Sequence, residues 1–278
     1  MLLARDRAGL APERALLAEA RQTTRTVART FALAVRLLPR EVRDDVYLLY
    51  LVFRTLDDLV DDHLPRAEER VAAVEAWCAG GRATSTEARI LDDLARRHRV
   101  PRDAVADFCA GMRSDLAFSP VGTEAELDEY CYRVAGTVGV VMAEVLGTNG
   151  ERAAARRAAG ALGMAMQRTN ILRDIDEDRG NGRTYLAAET VRRFGPPEPG
   201  RREGLLKDQI ARADALYDEG VDGIVLLRSG GRAIRAAAAM YREILRQIER
   251  EGYGAHAGRV VVSRRRKLVV AARRGLVA

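Results

Sequence analysis

The sequence predicts an all-α protein. Three observations carry this: Ala, Leu, Arg and Glu are abundant, apolar residues recur three and four apart over long segments, and strand signals are nearly absent. The first helix is expected over 12–37, opening at Pro12, where a missing N–H costs little. The second, 41–62, carries the apolar run LLYLVF and ends in a cluster of Asp. The third, 66–79, follows Pro65 and stops at Gly80-Gly81; a fourth spans 84–98 and a fifth, after Pro101, spans 102–118. Periodic segments follow at 124–147 and 151–178, the latter containing the small apolar stretch GALGMAM. RGNGR (179–183) and FGPPEPG (194–200) are too rich in Gly and Pro for a helix interior and read as loops. The last helices are expected at 203–228, 231–251 after Gly230, and 258–274, where VVVS (260–263) reads equally as strand or helix. No linker, composition shift or fixed repeat divides the chain, so one domain over 1–278 is expected.

Composition removes several function classes. Charged residues are 31% and apolar ones 47% of 278 residues, which excludes bulk disorder and permits a sizeable core. The three cysteines, Cys78, Cys109 and Cys131, form no CxxC and no even framework, which argues against a stapled secreted domain or zinc ribbon and for a reducing cytoplasm. No apolar run is long enough to span a bilayer, and MLLARDRAGLAPERALL lacks the apolar centre of a signal peptide. The net charge of +6 points to anionic partners: nucleic acid, an acidic membrane surface or a phosphorylated substrate.

Two acidic clusters carry the chemistry. In LVFRTLDDLVDD (51–62), Asp57 and Asp61 share one helix face, with Asp58 and Asp62 beside them. Like charges at this spacing repel, so something cationic must compensate. In QRTNILRDIDEDRGNGR (167–183), Asn170, Asp174 and Asp178 fall at successive turns, with Gln167 one turn earlier. Two amides and two carboxylates on a buried helix need partners, and a hydrated hard cation such as Mg²⁺, bridging to substrate phosphates, is a good one. His63, His98 and His256 lie far apart in sequence, and none pairs with a Cys at ligand spacing. Two such helices facing each other across a cavity favour ionisation of a diphosphate ester, with apolar walls around the resulting carbocation. Gly136 and Gly139, one turn apart, allow close approach either of a prenyl chain or of a neighbouring helix.

From about residue 25 to 270 the chain resembles the squalene and phytoene synthase family, the head-to-head isoprenoid diphosphate coupling enzymes. The segments that carry the resemblance are RTFALAVRLLPREVRDDVYLLYLVFRTLDDLVDD, YCYRVAGTVGVVM (130–142), QRTNILRDIDEDRGNGRTYL and the tail MYREILRQIEREGYGAHAGRVVVSRRRKLVV. The signature between the acidic motifs and the tail are closest in style to phytoene synthases. The resemblance implies an isoprenoid-synthase-type helical bundle around a central apolar cavity. It implies Mg²⁺, or Mn²⁺ in its place, on Asp57, Asp61, Asp174 and Asp178, with Gln167 and Asn170 assisting. Arg54 would contact a diphosphate, Tyr130 and Tyr253 would act near the diphosphates and reacting carbons, and Phe31 would line the cavity. Where the family often has Ser-Lys/Arg-Ser before that aromatic, this chain has Ala28, Arg29 and Thr30, so a hydroxyl survives at Thr30 and not at Ala28.

The implied reaction joins two allylic isoprenoid diphosphates through a cyclopropylcarbinyl diphosphate. Its ending varies: proton loss gives phytoene or dehydrosqualene, hydride from NADPH gives squalene, and water gives an alcohol. NADPH is therefore expected only for a squalene-type ending, and no GxGxxG follows a strand. Val35, one turn after Phe31, is expected at the floor of a substrate tunnel, where its small side chain leaves room for geranylgeranyl diphosphate; farnesyl diphosphate is the alternative. Greasy substrates and Arg-rich helices suggest a cytoplasmic protein that docks peripherally on membranes. A nucleic-acid-binding reading rests on RRRK (264–267) alone, and no recognised nucleic-acid motif supports it.

Overall fold

A computed structural model describes the backbone of residues 3–275 and the side chains of residues 14–28 and 30–273. Thirteen α-helices are described: α1 (Leu3–Val27), α2 (Arg29–Val35), α3 (Arg40–Asp61), α4 (Ala67–Cys78), α5 (Thr86–Arg97), α6 (Arg102–Leu116), α7 (Glu124–Cys131), α8 (Thr137–Leu146), α9 (Arg152–Gly180), α10 (Ala188–Phe194), α11 (Glu203–Asp222), α12 (Gly231–Arg250) and α13 (Arg264–Gly275). A π-helical turn, Tyr132–Gly136, joins α7 to α8, and a 3₁₀ turn, Gly223–Leu226, follows α11. Among the described residues no strand forms; one isolated antiparallel bridge pairs Thr148 with Leu227.

The helices enclose two apolar clusters. One gathers Leu49, Leu56, Trp77, Leu91 and Phe108 from α3–α6, with Val141 of α8. The other gathers Leu127, Leu172, Leu205, Tyr217 and Leu245 from α7, α9, α11 and α12. Helix α9 packs against α8, the π turn, α11 and α12, while α3 packs against α1, α5, α6 and α8. The two helices that carry the acidic motifs thus belong to different clusters, and a cavity lies between them.

The helix expected at 12–37 breaks at Ala28 (φ −110°, ψ 59°), where α1, packed on α3, gives way to α2, packed mainly on α12. The segment expected as one helix over 124–147 contains the π turn, which sets the Ala135 carbonyl against α9. Only glycine fits there: a Cβ on Gly163 would lie 2.2 Å from Ala135 O, and one on Gly139 would lie 2.2 Å from Ala159 O. The expected helix at 203–228 ends at Asp222, and α10 forms where no helix was expected. The helix expected from 258 starts at Arg264; the residues just before it form no regular element, with Val262 buried and Val261 exposed, so VVVS belongs to neither helix nor strand.

Candidate active site

Asp57, Asp58 and Asp61, crowded at the end of α3, are each met by an arginine. Arg54 reaches Asp57 (3.1 Å) and Asp58, one turn along its own helix. Arg183, from the loop after α9, reaches Asp61 (3.2 Å). On α9, Arg173 donates to Asp174 (Nε–Oδ1 2.8 Å), and Arg259, from the stretch before α13, pairs with Asp174 (3.1 Å) and Glu177 (3.1 Å). Asp57, Asp61, Asp174 and Asp178 all line one cavity of about 620 Å³, as do Arg54, Gln167 and Asn170.

The electrostatics of this mouth are unbalanced. Burial, then the charge of Asp61, pushes the Asp57 carboxyl up to about 7. Burial and Asp174 push Asp178 to about 6, and burial and Asp61 push Asp115 to about 6. Two buried polar atoms of cavity-lining residues have no hydrogen-bond partner among the described residues: Asn170 Oδ1, an acceptor, and Arg54 Nε, a donor. The Asn170 amide is oriented by its own Nδ2, which donates to Gln167 Oε1 (3.3 Å). An orphaned oxygen between crowded carboxylates fits a hard cation, and an orphaned guanidinium N–H fits a phosphate oxygen. Among the described residues no three His, Cys, Asp or Glu side chains converge closely enough to hold a metal by themselves. An ion here would therefore draw part of its shell from water or a ligand's phosphate, as Mg²⁺ commonly does.

Behind the mouth the walls turn apolar. Phe31 packs on Tyr50 (centroids 5.2 Å apart), Phe53 meets Phe108 edge-on, and aliphatic positions of α8, α9 and the 3₁₀ turn complete the lining. Along α9 the lining runs from Ala155 to Asp178, which is roughly 35 Å at the α-helical rise. Tyr130 stacks on Tyr185 at 5.2 Å and its hydroxyl donates to Asp115 (3.4 Å). Burial, with the nearby Asp115 charge, holds the Tyr130 phenol well above its ordinary range, so it keeps its proton.

Not every expected residue reaches this cavity. Val35 is buried in the first apolar cluster and does not line it, which corrects the tunnel-floor expectation. A seven-residue helix turning onto α12 aims Phe31 at the cavity and Val35 at the core. Tyr253 also lies off the cavity: it is held at φ 53°, packs on the second cluster and carries Lys207 over its ring at 5.0 Å. Gly136 serves helix packing, its Cβ position being 3.2 Å from Gly160 O; Gly139 both packs against α9 and lines the cavity. Thr30 accepts a hydrogen bond from Lys267 (3.0 Å), and the Arg29 side chain lies outside the described residues. Tyr50, Asp115, Arg173, Tyr185 and Arg259 line the cavity without having been expected there. Asp115 and Arg259 stand alone in their sequence neighbourhoods, so no spacing could mark them.

Residues 24–266 match the family profile described as squalene/phytoene synthase. The chain is 39% identical over 239 residues to phytoene synthase of Thermus thermophilus, covering 81% of this chain and 80% of that one. It is 33% identical to 15-cis-phytoene synthase of Synechococcus elongatus, covering 96% and 95%. Among solved structures, a dehydrosqualene synthase in complex with ligand superimposes with a TM-score of 0.85 at 27% identity, covering 95% of this chain and 96% of the other.

Proposed function

This chain belongs to the squalene/phytoene synthase family, and from that premise we propose that it joins two molecules of geranylgeranyl diphosphate head to head to give phytoene. Two phytoene synthases match it over most of its length, which favours this product over others of the family. The observation that carries the reading is the cavity itself: acidic faces of α3 and α9 at one end, apolar wall along α9 behind them.

The C1–O bond of one allylic diphosphate breaks and the diphosphate departs with the electron pair. The C2–C3 double bond of the second molecule attacks that C1, and a proton leaves to give a cyclopropylcarbinyl diphosphate. Its own C–O bond then breaks, the skeleton rearranges to the 1–1′ linkage, and loss of a second proton ends the sequence without any reductant. Asp57, Asp61, Asp174, Asp178 and Asn170 Oδ1 are the residues that would hold divalent cations, Mg²⁺ or Mn²⁺, whose charge offsets that of the departing diphosphate. Arg54 binds diphosphate oxygens through its planar fork, the unpartnered Nε included. Tyr130 remains protonated, and its one O–H exchanges Asp115 for the leaving group, while its ring and that of Phe31 face the cation. The aliphatic walls exclude water, which would otherwise capture the carbocation as an alcohol.

A farnesyl-coupling, dehydrosqualene-type activity is the second reading, favoured by the close superposition on a dehydrosqualene synthase. Incubating the purified protein with fifteen- or twenty-carbon diphosphates and Mg²⁺, with and without NADPH, separates them. Phytoene from the twenty-carbon substrate, independent of NADPH, is expected; coupling of the fifteen-carbon substrate alone would replace the first reading by the second. The protein also works at a membrane surface in this reading, since substrate and product are lipids. No helix among the described residues is long and apolar enough to cross a membrane.

A further inference from the structure

Arg259 reaches the mouth of the cavity from a stretch with no regular structure, and that stretch is firmly tied down. Asp176 accepts from both terminal nitrogens of Arg202 (2.8 and 2.9 Å) and from the backbone N–H of Gly258 (2.8 Å). Arg202, almost fully buried, also donates to the carbonyls of Gly254 (3.2 Å) and His256 (3.0 Å). Gly252, Tyr253 and Gly254 have φ of 77°, 53° and 72°, so the chain reverses tightly as it leaves α12. A Cβ on Gly254 would lie 2.2 Å from Arg202 Nε, which leaves glycine as the residue that lets the guanidinium pass. Asp176 does not line the cavity; Asp174 and Glu177, the partners of Arg259, do. One flank of α9 thus anchors the strap whose arginine returns over the acidic face of the same helix.

We propose that Arg259 is a counterion that changes partners, and that Asp176 and Arg202 are the positioning pair that aims it. Without cations Arg259 neutralises Asp174 and Glu177. When cations and a diphosphate occupy the mouth, it turns from the carboxylates onto the diphosphate. The strap fixes its backbone within reach, while its half-exposed side chain is free to swing. A guanidinium fork suits carboxylate and phosphate oxygens alike, and a divalent cation on Asp174 repels it from its first partner. This inference rests on the diphosphate reading above.

Opposite changes in two binding constants test it. Mn²⁺ binding to the cation-free protein is followed by electron paramagnetic resonance, and inorganic pyrophosphate binding in Mg²⁺ by calorimetry. Arg259→Gln should tighten Mn²⁺ binding several-fold, because Asp174 loses a competing cation. It should weaken pyrophosphate binding about tenfold, the scale of one lost charge-assisted hydrogen bond. Arg259→Lys, which keeps the charge and loses the fork, should leave Mn²⁺ affinity near wild type and recover only part of the pyrophosphate affinity. Asp176→Asn alters no cavity residue and should weaken pyrophosphate binding in the same direction by a smaller factor. Parallel weakening of both ligands in Arg259→Gln would reveal a merely loosened helix and overturn the proposal, as would unchanged pyrophosphate affinity. If wild type fails to bind pyrophosphate in Mg²⁺ at all, the diphosphate reading itself falls. Wild-type coupling activity alongside unaltered constants in Arg259→Gln leaves that reading standing and removes only this one.

Discussion

Replacing Asp57 or Asp174 by Asn removes one carboxylate from an acidic face at almost constant size. Each variant should lose coupling activity by about 100-fold or more, the scale on which single preorganised electrostatic groups act; product formation beside an unchanged helical circular dichroism spectrum checks this. The raised carboxyls also fix a pH dependence. Asp57, Asp115 and Asp178 titrate near 7, 6 and 6 in the folded chain, above the usual carboxylate range. Between about pH 4 and pH 7 the folded state therefore binds more protons than the unfolded one. Their contribution to stability is full at low pH and is lost as pH rises through 6 to 7. The cation-free protein should melt higher at pH 6 than at pH 8, and Mg²⁺ should raise its Tm more at pH 8, where the carboxylates are free. Asp57→Asn should flatten both trends in thermal melts, and a melting temperature that climbs from pH 6 to pH 8 without cation would contradict the account. The acidic faces were legible because a four-residue spacing survives folding as a shared face. Asp115 was not: its partners Tyr130 and Asp61 come from other helices, and nothing near it in the chain hints at them.

At the level of the helix, small residues decide how closely α9 approaches its neighbours. Gly163→Ala would press a Cβ into the Ala135 carbonyl and should cost about 1–3 kcal/mol or more, read from denaturant unfolding. A chain-length effect is expected from α9 as well. Ala159 lines the cavity, so Ala159→Leu should move the product ratio toward fifteen-carbon substrate, whereas Val35→Phe should leave the ratio unchanged and only lower stability. Competition assays with both diphosphates measure this directly. Periodicity sufficed for α3, α6 and α9, each of which turns an apolar face to a single cluster, α3 and α6 to the first and α9 to the second. It failed where a helix is shaped by a neighbour. Ala28 carries no breaker, yet the chain bends there because α2 packs on α12 and α1 on α3. The start of α13 was misplaced because alternate burial of Val261 and Val262 is a tertiary fact.

At the scale of the whole molecule, the large apolar side chains exposed among the described residues are few and unevenly placed. Leu268 and Val269 stand exposed on α13, close in sequence to exposed Arg264 and Arg265, and Val261 lies just before that helix. Such a surface suits an anionic membrane, where each nearby Arg or Lys contributes about 1 kcal/mol. The protein should float with anionic vesicles at low salt and be released at high salt, and Arg264→Glu with Arg265→Glu should abolish flotation. Retention of binding by that double variant would place the contact elsewhere.

The π turn at Tyr132–Gly136 has a consequence for how this chain tolerates changes in length. Cavity-lining positions run from Tyr130 to Val134 and Ala135, then to Val138, Gly139 and Met142, so the extra residue in the turn keeps both halves in phase with one wall. Deleting a single residue from the turn would yield a more regular helix. It would also rotate one half against the other by about 100°, carrying either Tyr130 away from Asp115 or Gly139 away from Ala159. Here the irregular reading frame is the functional one, and a shortened chain of better helical propensity should fold less well and turn over more slowly.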